Sequence, residues 1–176
     1  MLRCLMIAVF VVLGGAITSC SPESPERPAL LDLSTPQDDV VLQITGKIAV
    51  TNGNRGALFD MTMLKKLPTV QIETHTSVTD GPQRFAGFRL RDLLRGLGAD
   101  GETIKASALN DYVVEIPMAD LEEFDVIVAH SLNGKPLAPH DKGPLWIVYP
   151  RDQHPALQDI RYDYRWVWQL NALDVE

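Results

Sequence analysis

The residues of this chain best suited to chemistry crowd toward its C-terminal end. Trp146, Tyr149, Tyr162, Tyr164, Trp166 and Trp168 lie within 23 residues, with Lys142, Arg151, Arg161 and Arg165 beside or among them. Flat rings with neighbouring cations suit a planar, polar or anionic heterocycle, held by stacking and charge-assisted hydrogen bonds. The same residue types also suit a core closed by tryptophans with arginines turned to solvent. Residue types alone leave both readings open.

The other chemically able residues are sparser. His75, His130, His140 and His154 have no metal-ligand spacing, and H-E-x-x-H does not occur. His75 opens a polar loop that runs to Gln83, a place where sites gather, although a surface or capping role fits it too. His130 falls mid-strand and reads as a sheet-face residue. The only cysteines are Cys4 and Cys20, so the body of the chain has no thiol for a disulfide, a Cys-based zinc site or a nucleophile. Gly96-Leu97-Gly98-Ala99-Asp100-Gly101 matches a dinucleotide fingerprint by letters. It follows a helical pattern and precedes a strand, the reverse of what that chemistry needs, and reads as a helix stop and turn. P-loop and nucleophile-elbow motifs are absent from the sequence. A net charge of −7 with no cluster of Lys and Arg argues against a nucleic-acid surface.

These residues need a scaffold. Apolar residues make up 45% and charged residues 22% of 176, which is globular composition at single-domain length. Strands are expected at Val40–Ile44, Lys47–Thr51, Thr69–Thr74, Thr103–Leu109, Tyr112–Ile116, Asp125–Leu132, Gly143–Tyr149 and Trp166–Val175. The apolar Gly143–Tyr149 run reads as a central strand. Asp60 can cap a short helix that Pro68 stops. Leu90, Leu93, Leu94 and Leu97 fall at helical spacing, and Ala119–Phe124 is a second short helix. Asn133-Gly134 is a hairpin turn. The expected fold class is α+β, mostly β, with mixed sheets and short helices.

The N-terminus reads as an export signal. Met1-Leu2-Arg3 is a short positive start, and Cys4 to Ile17 is an apolar run too short for a stable membrane anchor. Ile17-Thr18-Ser19-Cys20 resembles a bacterial lipobox, which implies cleavage after residue 19 and lipidation of Cys20. Ser21 then favours the outer membrane by resemblance to lipoprotein sorting. The expected location is periplasmic and lipid-anchored; ordinary secretion by cleavage near the same place would leave a soluble periplasmic protein. Prolines 22, 25, 28 and 36 mark residues 20–39 as a tether, with the domain at 40–176.

Several segments in order resemble the sulfite-oxidase-type molybdopterin-binding domain. They are Phe85-Ala86-Gly87-Phe88-Arg89-Leu90-Arg91-Asp92-Leu93-Leu94, Ala108-Leu109-Asn110-Asp111-Tyr112, Asn133-Gly134-Lys135-Pro136-Leu137, Lys142 to Pro150, and Arg165 to Leu170. The likeness spans roughly residues 40–175 and is strongest to the small, exported, single-domain branch of the family. It implies that family's mixed, mostly-β fold around a pterin cleft. In redox members a cysteine thiolate at the end of the strand before the first segment binds molybdenum. That place falls here at Thr74 to Thr76, where no cysteine stands. A threonine hydroxyl is neither soft nor charged at neutral pH, so pterin binding is supported while molybdenum chemistry is put in doubt.

The resemblance implies a ring stacked near Trp146 or Tyr149, with its polar edge on Asn110, Asp111, His75 or Thr76. Arg165 and Lys142 would meet a phosphate or oxygen-rich side chain. Three functions follow as expectations. The first is a non-catalytic pterin-binding domain that reports ligand occupancy to a membrane signalling partner. The second is a molybdopterin-dependent oxidoreductase with a metal ligand other than cysteine. The third is an interaction domain that has lost the ligand.

Overall fold

The computed structural model describes residues 31–176. The expected signal segment and the lipidation site at Cys20 lie outside them. The order is β1 (Val40–Gly46), β2 (Ala57–Asp60), α1 (Met61–Leu64), β3 (Val70–Thr74), β4 (Gln83–Arg89), α2 (Leu90–Gly96), β5 (Thr103–Ala108) and β6 (Val113–Pro117). Then come α3 (Met118–Glu123), β7 (Ile127–Leu132), β8 (Lys135–Pro136), β9 (Trp146–Val148), two short 3₁₀ turns, α4 (Ile160–Asp163) and β10 (Leu170–Val175). One sheet runs β2-β1-β10-β5-β6; the other runs β3-β4-β7-β8, with β9 also paired to β7. The fold is α+β and mostly β, as the sequence implies.

Both sheets feed one core. β1 buries Leu42 and Ile44 on alternate positions, and β5 buries Ile104, Ala106 and Ala108 in the same rhythm. β1 and β10 pair in parallel, while β10 and β5 pair antiparallel, which sets the mixed character of this sheet. In the second sheet Ile127, Val128 and Ala129 of β7 are all buried, because β7 lies between β4 on one side and β8 and β9 on the other. α2 leaves β4 directly and buries Leu90, Leu93 and Leu94, with Leu97 just beyond it also at 0% exposure. Each such leucine contributes about 1.5–3 kcal/mol of transfer free energy.

Local chemistry explains several element ends. The Asp60 carboxylate accepts from Met63 N at 2.8 Å and so caps α1. Its other oxygen accepts from Gln37 N at 2.9 Å and Asp38 N at 3.3 Å. Asn133 (φ 50°) and Gly134 (φ 78°) form the turn that pairs β7 with β8. Gly87 has no room for a side chain: an added Cβ would sit 2.0 Å from the Val128 carbonyl oxygen, where β4 bulges against β7.

The structure corrects five expectations. Residues 31–39 are not a free tether: Leu31 and Leu33 pack on the core, and the Asp60 carboxylate holds the backbone at 37–38. Lys47–Thr51 is not a strand, because Ala49 N and Val50 N bond to the Leu97 carbonyl at the end of α2 instead. β4 was unannounced; its Gly87 and mixed polarity hide the alternation of a strand paired on both sides. β9 is only three residues and pairs within its sheet with β7 alone, so Gly143–Tyr149 is not a central strand. Its apolarity comes from the irregular run at 166–168, which covers it through the Ile147 N to Val167 O bond of 2.9 Å and a bridge between Trp146 and Trp168. For the same reason the last strand begins at Leu170 rather than Trp166, after a left-handed Gln169 at φ 53°.

Candidate functional site

Four segments meet around a cavity of about 340 Å³. Ser77 and Val78 come from the β3–β4 loop, and Asn110 and Tyr112 from the β5–β6 turn. Ile160, Asp163 and Tyr164 come from α4 and its C-cap, and Trp166 and Trp168 from the run into β10. The volume lies in the range of small-molecule pockets, and the wall is aromatic and aliphatic with a few polar groups.

Its mouth is apolar and open. Val78, Tyr112, Ile160 and Tyr164 are all exposed large side chains, and Leu109 and Val113 continue the patch beside the turn. The Tyr112 hydroxyl donates to the Tyr164 carbonyl at 2.7 Å, clasping the β5–β6 turn to α4. Burial, with a smaller contribution from Tyr164, raises the Tyr112 phenol above its ordinary value and keeps it a donor. Asn110 Oδ1 accepts from Tyr112 N at 3.2 Å, and Asp111 takes a left-handed conformation at φ 65° to close the turn.

The floor is built from the residues expected to touch the ligand. Trp146 and Tyr149 are both 0% exposed, so neither presents a ring to solvent. Trp146 meets Trp168 edge-on at 6.2 Å and Phe85 at 5.2 Å, while Tyr149 stacks on Trp166 at 6.4 Å. The stacking role assigned to Trp146 and Tyr149 is therefore corrected: they support the cavity wall from behind, and Trp166 and Trp168 form it. The Trp166 indole N–H is buried and finds no partner among the described residues.

The expected cations are also engaged elsewhere. Arg165 donates to Asp120, which also accepts from the Tyr149 hydroxyl at 2.8 Å, and its guanidinium lies 4.8 Å over the Tyr162 ring. Burial first, then the Asp120 carboxylate, lifts the Tyr149 phenol well above its ordinary value. This is a partly buried network beside the core. Lys142 Nζ pairs with Asp141 at 3.0 Å, although its carbonyl accepts from Gln169 N just beyond Trp168. Neither side chain lines the cavity.

Of the remaining expected residues, only Asn110 lines the cavity. His75 is exposed, one residue past the end of β3, with Nδ1 2.8 Å from Asp152 Oδ2. Burial works to raise Asp152, but the His75 ring and backbone N–H outweigh it and leave this carboxyl below its ordinary value. Thr76 shares a 2.8 Å hydrogen bond with Thr79 and accepts from Val78 N, which shapes the loop that delivers Ser77 and Val78. Asp111 shapes its turn in the same indirect way. The sequence reasoning missed Ser77, Val78, Ile160 and Asp163 outright. It had Tyr164, Trp166 and Trp168 only as members of the cluster; their spacing of two is the signal that they share a face.

A family model described as the oxidoreductase molybdopterin binding domain matches residues 52–153, more than half of the chain, and the chain belongs to that family. Among solved structures, the sulfane dehydrogenase SoxCD from Paracoccus pantotrophus is similar, with a TM-score of 0.57 and 19% identity over 76% of this chain and 37% of that one. At that identity the likeness shows the fold alone, and this chain spans less than two-fifths of its neighbour's length. No curated protein matches the sequence.

The family's name poses a test of fit. Molybdopterin brings a dithiolene-bound metal and an anionic phosphate. The resemblance puts the cysteine of redox members at Thr74 to Thr76; of these, Thr74 is 0% exposed and its hydroxyl oxygen accepts from Asp152 N at 3.1 Å. Among the described residues no group of three or more His, Cys, Asp or Glu could hold a metal ion. Among the described residues no Lys or Arg lines the cavity. The donor set fits the ring of a pterin and does not fit its metal or phosphate.

Proposed function

We propose that this chain is an exported pterin-binding domain that has left molybdenum redox chemistry and reports ligand occupancy to a membrane signalling partner. The observation that carries this reading is the aromatic cavity walled by Trp166 and Trp168, together with a strand end, Thr74 to Thr76, that offers no thiolate. Stacking between Trp168 and a flat ring supplies affinity, and the Asn110 amide supplies directional contacts at the rim. The apolar mouth around Val78, Leu109 and Ile160 suits a partner that reads the closed, occupied cavity. In this reading a lipid on Cys20 holds the domain at the periplasmic face of the outer membrane.

Titrating the full chain with a pterin tests it, since Trp166 and Trp168 make intrinsic fluorescence the natural readout. Saturable quenching with one site per chain is the expected result. Stoichiometric molybdenum in protein taken from its native periplasm would overturn the non-redox reading.

That outcome would favour the alternative of a molybdopterin-dependent oxidoreductase with a non-cysteine ligand. Its specific support is His75, adjacent to Thr74, whose Nδ1 is held by Asp152. Absence of both pterin affinity and metal would leave an interaction domain built on the apolar mouth.

A further inference from the structure

Resting on the pterin reading, we propose that the cavity selects an uncharged, phosphate-free pterin and that Asp163 reads its donor-rich edge. The charge census at the wall is the starting point. Among the described residues Asp163 is the one charged side chain that lines the cavity. Each cation of the surrounding segments already has a carboxylate partner: Arg151 on Asp163, Arg165 on Asp120, Arg161 on Asp159 and Lys142 on Asp141. A phosphate entering here meets an anion and no available cation, in a chain that is itself acidic at −7.

Asp163 is placed to accept rather than merely to repel. Arg151 Nη1 donates to Oδ1, and Oδ2 has no hydrogen-bond partner among the described residues. The carboxylate is partly exposed, at 20%, on the cavity wall. A pterin carries two donors side by side on its pyrimidinone edge, the ring N–H and the exocyclic amine, and is neutral near pH 7. A carboxylate already fixed by an arginine is a preorganised acceptor for that edge. Asn110 complements it, since Oδ1 is occupied by Tyr112 N and the amide N–H groups remain to donate to the ring carbonyl.

Neopterin and its monophosphate share one ring and differ in the phosphate, so comparing their binding to the full chain by fluorescence quenching is the test. Neopterin is expected to bind about tenfold or more tighter than the phosphate ester. Asp163→Asn should weaken neopterin by about tenfold or more. It should also narrow or reverse the preference, because it frees Arg151 beside the cavity. Should that variant not fold, Val78→Lys at the exposed rim provides the second arm: it should strengthen the phosphate ester selectively. Equal or tighter binding of the phosphate ester by the wild type would overturn the selectivity and leave the pterin reading standing. Binding of neither ligand would overturn both.

Discussion

The aromatic cluster divides into two halves of like composition and unlike surroundings. In the inner half Trp146 and Tyr149 are fully buried, and the Tyr149 hydroxyl and Arg165 both donate to Oδ2 of Asp120. In the outer half Tyr112 is 40% and Tyr164 61% exposed, Trp168 is half-buried, and Asp163 keeps one oxygen without a protein partner. Each half has an Arg–Asp pair: Arg165 with Asp120 inside, Arg151 with Asp163 outside. The difference is solvent access. The Asp120 carboxylate is 9% exposed and works for the fold, whereas the Asp163 carboxylate is 20% exposed on the cavity wall and can meet a ligand.

Substitutions can break this contrast, and the largest effect belongs to the inner half. Trp146→Ala should destabilise the domain by about 3–5 kcal/mol through a large unfilled cavity, read as a lower urea midpoint. Because Trp146 is fully buried and Trp168 only partly so, the larger loss of ligand binding is expected at Trp168. Loss of binding by a Trp146→Ala protein of unchanged stability would show that the two halves are not separate.

Tyr149→Phe comes next. It removes a hydrogen bond to a carboxylate and should lower stability by about 1.5–3 kcal/mol. Its pH signature is distinctive. The folded phenol titrates well above the unfolded one, which ionises near 10. Its contribution is whole below about pH 10 and is lost as the pH climbs from there toward the folded value. Thermal melts of the wild type should therefore fall on the alkaline side, and Tyr149→Phe should flatten that fall.

Trp168→Ala should weaken pterin binding by about 1–3 kcal/mol while disturbing the fold less than Trp146→Ala, because the ring is only partly buried. Paired titration and urea denaturation would check this; unfolding as severe as that of Trp146→Ala would make the outer half core as well. The smallest change is Tyr112→Phe, which unclasps the bond to the Tyr164 carbonyl at an exposed position. About 0.5–1.5 kcal/mol of stability should go with it, and ligand dissociation should quicken in stopped-flow quenching.

Some features were legible because their causes are local. The Asn133-Gly134 hairpin, the Asp60 cap and the leucine face of α2 each depend on residues within a few positions. Strand β4 was not, since Gly87 serves a close approach to Val128 that is 41 residues away in the chain. Lys47–Thr51 carries strand-like residues whose donors are taken by the end of α2. Local propensity loses to whichever partner tertiary packing brings near.

The sequence by itself determined the fold class, the family likeness and one decisive chemical fact: no thiol follows residue 20. Composition is enough for that, because a missing atom cannot be supplied by folding. Which aromatics form the cavity and which lie beneath it was decided only in three dimensions. Ser77, Asn110 and the 160–168 run that carries Asp163 and Trp168 are three stretches far apart in the chain, and no periodicity links them. Whether a tryptophan or an Arg–Asp pair is core or site depends on solvent access, which is a property of the assembled structure rather than of any stretch of chain.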